Sequence, residues 1–245
     1  GLGGCSLVDL DPADFPTYPV DAALDFGRRR PAFMLLAEVP GLASDGGPAE
    51  VVIEELVAAD ILEERWAQEC AALCQRLGVT VRNAYCDPAG RARNAQTGIS
   101  SVDTIRRVFK EEGIMSGGVY WPSSAIERSI ASGIEVLSSR IRSASGVRRL
   151  FVERGLAAPG RLRSYPRGVV GIHGSLSGYV WPSAPGRDEP LKDGVHDHFV
   201  DALRYAVVCK HGVIRAPDIE GMNAGARGIG FHGAPVRSSL ADDWG

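Results

Sequence analysis

The sequence predicts an α/β fold on a mixed central sheet. Three apolar runs follow one another through short loops between residues 20 and 57, as in an antiparallel meander. From residue 63 onward helical and extended periodicities alternate, and a helix-forming run near residue 210 closes the pattern.

Residues 1–19 are rich in Asp and Pro and read as a linker or an arm hugging a sheet edge. "VDAALDFG" (20–27), "AFMLLAEV" (32–39) and "EVVIEELV" (50–57) read as three strands, with the hairpin-type loop "GLASDGGPA" between the last two. "EERWAQECAALCQRLG" (63–78) places Trp66, Ala67, Cys70, Leu73, Cys74 and Leu77 at helical spacing and stops at Gly78. A strand over 79–87 follows. A helix over 100–113 comes next, with Ser101 as candidate N-cap. A short strand over 117–121, a helix over 124–143 and a strand over 148–153 continue the alternation. The glycines of 168–183 weaken a helical assignment there. The closing helix runs from about 196 to 210, with Phe199, Leu203, Ala206 and Val207 on its core face. One domain over 20–211 is thus expected, followed by a flexible Gly-rich tail over 212–245.

A length of 245 residues, 44% hydrophobic and 23% charged, is ordinary for a globular chain. A net charge of −3 excludes a global polyanion binder, so any nucleic-acid surface must be a local basic patch. Cys5, Cys70, Cys74, Cys86 and Cys209 are odd in number and form no tight framework, which points to a reducing compartment. No run is long enough for a membrane helix and no signal peptide is visible. The start at Gly-Leu-Gly-Gly, without Met, reads as a cleaved tag or an excised fragment.

The chemistry concentrates in "HDHFVDALRY" (196–205). His198 and Asp201 are three apart and share a helix face, with His196 and Asp197 at the first turn. Asp25 and Asp87 end the first and fourth strands, where α/β folds hold their ligands. If the last helix packs beside those strands, the four side chains converge. Carboxylates so close repel one another and raise each other's pKa values, which a divalent ion relieves. Oxygen ligands with one imidazole suit Mg²⁺ or Mn²⁺, and two ions ~4 Å apart can clamp a scissile phosphate. Read singly, an Asp before Phe-Gly or Pro is also an ordinary turn former. Acids at 197 and 201 also suit a helix N-terminus, although histidines there do not.

"ALDFGRRRPAF", "YCDPAG" and "HDHFVDALRYAV" together resemble, in this order, the C-terminal nuclease domain of the large terminase subunits of tailed bacteriophages. The resemblance covers roughly residues 20 to 210, and its last motif is the most specific. It implies a ribonuclease H-like fold, and a Mg²⁺- or Mn²⁺-dependent endonuclease that cuts concatemeric viral double-stranded DNA during packaging in the cytoplasm of the infected bacterial host. It implies the terminase ATPase domain, the small terminase subunit and the portal as partners. By resemblance Asp25 and Asp87 are metal ligands, and His198 is favoured as the third, with Asp201 supporting or also ligating. Asp197 is the runner-up. Glu55 matches an acidic position often seen in the family, either supporting the ligands or, as the favoured reading, a solvated strand-end charge. No G-x-x-x-x-G-K-[ST] motif occurs, so the chain corresponds to the nuclease portion and no ATP site is assigned to it.

In the expected two-ion hydrolysis Asp25 bridges both ions, Asp87 and His198 hold one each, and Asp201 orients His198 or a bound water. Basic residues near these motifs are the expected phosphate contacts: Arg28, Arg29 and Arg30, Arg91 and Arg93, and the block from Arg140 through Arg142, Arg148, Arg149, Arg154, Arg161 and Arg163 to Arg167. Trp121, Trp181 and Tyr179 are expected in core packing rather than base stacking. Two rival readings stand beside the nuclease: a transposase, integrase or resolvase on the same fold, and a non-catalytic module docking on DNA or a portal.

Overall fold

A computed structural model describes residues 5–26, 30–158, 165–166, 168–179 and 193–212, all within one compact unit. Arg28, Arg29, Arg161, Arg163, Arg167, Trp181 and the tail beyond residue 212 lie outside the described residues.

The frame is a seven-stranded sheet. Its strands are β1 (Ser6–Val8), β2 (Val20–Asp25), β3 (Ala32–Val39), β4 (Ala49–Val57), β5 (Val81–Cys86), β6 (Val119–Tyr120) and β7 (Leu150–Glu153), in the spatial order β1-β7-β4-β3-β2-β5-β6. The meander β2-β3-β4 is antiparallel; β5 adds parallel to β2, β6 to β5, β7 to β4 and β1 to β7. This is the mixed sheet, a three-strand meander extended by parallel strands, expected of the ribonuclease H-like fold. Parallel neighbours need crossovers, and the helices between strands supply them.

Both faces of the sheet are covered, which explains why β3 reads as an unbroken apolar run rather than an alternating one. On one face α1 (Glu63–Leu77) and α2 (Ser101–Glu111) bury Trp66, Cys70, Ile105 and Phe109 against Leu24, Phe33 and Leu35. On the other, α4 (Ile130–Ile141), α5 (Ile172–Gly178) and α6 (Asp197–His211) bury Leu137, Leu176, Phe199 and Leu203 against Ala23, Met34 and Val152. Gly78 ends α1 in a left-handed conformation (φ 66°), its N–H capping Cys74 and Gln75 carbonyls.

Several boundaries differ from expectation. The segment before residue 20 is part of the sheet: it supplies the outermost strand β1, and a 3₁₀ turn over Pro12–Thr17 buries Phe15. The N-cap of α2 is Ser100, not Ser101, because the Ser100 side chain accepts the Asp103 N–H. The helix expected over 124–143 breaks at Ser129 into a short α3 (Ala125–Arg128) and α4, each with its own serine cap. Residues 172–178 form a helix despite their glycines, because Ile172 and Leu176 are fully buried.

Candidate active site

The parallel register Leu24↔Cys86 places the next residues, Asp25 and Asp87, side by side at the carboxyl ends of β2 and β5. The loops beyond are locked together. Phe26 lies so close over Gly90 that a Cβ there would stand 2.2 Å from its ring, so only glycine fits. Asp87 caps the 3₁₀ turn Pro88–Arg91, its Oδ1 accepting the Ala89 N–H at 2.9 Å. The turn-forming reading of Asp87 is therefore true of one oxygen, and it fixes the carboxylate's orientation.

Helix α6 packs over β2, β3 and β5 with its N-terminal turn at these strand ends. His198 Nδ1 lies 3.3 Å from Asp25 Oδ2, and both side chains are largely buried (17% and 13% exposed). Asp201, one turn on, is 5% exposed, and Arg204 Nε donates to its Oδ1 at 3.3 Å. Burial pushes the Asp25 carboxyl above its ordinary range; the charges of Asp201 and Asp87 push the same way, and His198 only partly opposes them. His198 is raised in turn, first by its hydrogen bond to Asp25. The four side chains thus form one electrostatically coupled group.

The His-Asp-His motif divides. His196 turns away to Asp193, with Nδ1 2.6 Å from its Oδ2, while Asp193 Oδ1 accepts the N–H groups of Val195 and His196, each at 2.8 Å. Asp197 is 9% exposed, and its buried Oδ1 has no hydrogen-bond partner among the described residues.

Among the described residues no group of three or more His, Cys, Asp or Glu side chains is already arranged to hold a metal ion. The donor chemistry nonetheless fits a hard divalent cation: the Asp25 carboxyl raised by burial and by its acidic neighbours, one imidazole, and an orphaned buried carboxylate oxygen. Asp25, Asp87 and His198 are the residues that would hold it, with Asp201 and Asp197 beside them.

Glu55 is not a solvated strand-end charge. It is 2% exposed, accepts the Ile172 N–H at 2.7 Å and the Tyr165 hydroxyl, and burial pushes its carboxyl up to about 7. It ties β4 to the start of α5.

The arginines separate into two kinds. Arg91 and Arg93 are exposed on the loop after Asp87, Arg91 lying 4.7 Å over the Trp121 ring. Arg142 is exposed at the end of α4 and Arg148 is half-buried. By contrast, Arg140 reaches Glu50 at 3.5 Å, and Arg149 pairs with Asp45 and the Pro48 carbonyl. Arg154 holds Asp9 at 2.7 Å. Arg30 donates to the Gly194 carbonyl at 2.6 Å, pinning the turn that precedes α6. Arg140, Arg149 and Arg154 thus have carboxylate partners within the chain, and Arg30 a carbonyl. Tyr179 is core, as expected, and Trp121 is half-buried.

Sequence reasoning missed Arg204. Its position three residues after Asp201 on one helix face was the available signal. Its guanidinium is 2% exposed and fits only because α4 carries Gly133, where a Cβ would stand 2.5 Å from Arg204 Cγ.

No family model matches the chain, and no curated protein matches it. Solved structures do. The family of the motifs recurs among them. The nuclease domain of the P22 large terminase is 15% identical at a TM-score of 0.48, over 85% of this chain and 88% of that one. The nuclease domain of the large terminase of bacteriophage SPP1, solved with bound Mn, is 17% identical at 0.49, over 83% and 92%. Thermus thermophilus RuvC is 13% identical at 0.37, over 79% and 96%.

Proposed function

We propose that this chain is a divalent-metal-dependent DNA endonuclease that cuts double-stranded DNA, with concatemeric viral DNA awaiting packaging as its substrate. One observation carries the reading. Asp25 and Asp87 adjoin at two parallel strand ends, and α6 lays His198 directly on Asp25 with Asp201 one turn behind.

A bound divalent cation supplies Lewis acidity, lowering the pKa of water and neutralising charge that builds on a phosphate. Asp25 and Asp87 provide the anionic oxygens at the centre of the site. His198, once it has lost its proton, offers a neutral nitrogen. Asp201 is held by Arg204 so that its charge faces the cluster. Arg91 and Arg93, exposed on the loop that follows Asp87, donate to backbone phosphates and fix the strand without reading its sequence.

The test is nicking of supercoiled plasmid with Mn²⁺ or Mg²⁺, against EDTA and against Asp25→Asn and Asp87→Asn. Cutting that needs the metal and both aspartates supports the reading. Cutting by either folded variant at the wild-type rate, or none by the wild-type chain under any divalent metal, sinks it. Strong preference for branched over linear duplex would instead favour the resolvase alternative.

A further inference from the structure

A cleft lies at the β5-β6 edge of the sheet, on the strand whose end carries Asp87. Tyr85 stands two residues before Asp87 on β5, so both point to the same face, about 7 Å apart along the strand. Tyr120, its partner on β6, stacks obliquely against it, with ring centroids 5.9 Å apart and planes at 33°. Tyr120 is 50% exposed, a large ring left open to solvent on a two-residue edge strand. With Asn83, Trp121, Glu127 and Cys209 the two tyrosines line a cleft of about 290 Å³.

We propose that this cleft takes one unpaired nucleobase of the DNA strand whose phosphate lies at Asp25 and Asp87. The choice of ligand rests on the nuclease reading; the chemistry of the walls narrows it. A tyrosine face offers stacking that any base can use. Glu127 is fixed as a carboxylate wall, its Oε2 accepting Ser123 N at 2.8 Å, Ser123 Oγ at 3.0 Å and Ser124 N at 3.0 Å. That wall repels a phosphate and accepts from exocyclic amines such as those of adenine, guanine or cytosine. Burial pushes the Cys209 thiol up to about 12, so it stays a neutral wall. Arg91, four residues after Asp87, lies over Trp121 in the wall of the cleft, a cation placed to meet the connecting backbone. Two strand rises from Asp87 to Tyr85, about 7 Å, match the separation of nucleotides two apart at ~3.4 Å each.

The experiment is fluorescence anisotropy of the full chain, in EDTA, with a short labelled single strand and copies carrying one abasic site at successive positions. The expected result is one position at which removing the base weakens binding roughly 5- to 100-fold, the range of a single stacked base. Tyr120→Ala removes that position dependence and Tyr120→Trp keeps it. A flat abasic profile, a Tyr120→Ala profile like the wild type, or no binding of the single strand overturns the proposal. The readout needs no cleavage, so it separates from the nuclease reading. Base-dependent binding without metal-dependent cutting leaves the cleft and removes the nuclease, and the converse leaves the nuclease alone.

Discussion

Lys210→Met should destabilise the protein by about 3 kcal/mol through the far end of α6. Lys210 Nζ lies 2.5 Å from Glu50 Oε1 and 2.7 Å from Asp21 Oδ2, in ion-pairing range though poorly aligned for hydrogen bonds. Glu50 is 2% exposed and Asp21 fully buried. Burial alone would raise the Glu50 carboxyl; the hydrogen bond from His211, then the charges of Lys210 and His211, outweigh it and hold the group at about 2 against an ordinary 4.5. A depression of that size is worth about 3 kcal/mol at neutral pH, and breaking a buried pair typically costs about 3–5 kcal/mol. The pKa is lowered on folding, so this stability is fully present above pH 4.5 and is lost as pH falls toward about 2. Urea unfolding at pH 7 and at pH 3 checks it. The gap between wild type and Lys210→Met should shrink from pH 7 to pH 3, because Glu50 then takes up its proton in part and the clamp is partly gone in both. Adding Glu50→Gln to Lys210→Met should recover part of the loss by removing the stranded charge. A single variant within about 0.5 kcal/mol of wild type at pH 7, the scatter of ordinary surface substitutions, would refute the clamp.

Asp25→Asn and Asp87→Asn should remove metal-dependent plasmid cutting while circular dichroism stays that of the wild type. Asp201→Asn should weaken Mn²⁺ binding roughly 10- to 100-fold in a calorimetric titration, as loss of a supporting carboxylate does. In the metal-free protein His198 should titrate above its ordinary 6.5, because protonation strengthens its bond to Asp25. Asp25→Asn should bring that midpoint down, as followed by NMR, and metal binding should tighten as pH rises past the same midpoint because a ligating imidazole must be neutral. Gly133→Leu should cost about 1–3 kcal/mol in thermal or urea unfolding by overpacking α4 against Arg204.

The meander was legible because its strands are sandwiched between two helical layers and are largely apolar, as Ala32–Ala37 of β3 are. The start of α6 was legible because imidazoles are disfavoured at a helix N-terminus, so two of them flanking an aspartate there call for a reason. The edge strand β1 was not: its three residues are too few for a period, and it forms only because β7 offers its backbone, whereas β6 was read within the longer run 117–121. Glu55 was misread because its position near a strand end resembles a solvated one; its burial comes from α5, a hundred residues later in the chain.

By itself the sequence determined which residue types stand at strand ends and on which helix faces, since periodicity fixes those locally. Only the tertiary structure decided which charges meet. It turned His198 to Asp25 and His196 to Asp193, and it took Arg140 and Arg149 into intramolecular ion pairs. The physical reason is distance. Electrostatic coupling falls off over a few ångströms, and residues 25, 87 and 198 reach that range only when β2 and β5 pair and α6 packs across them.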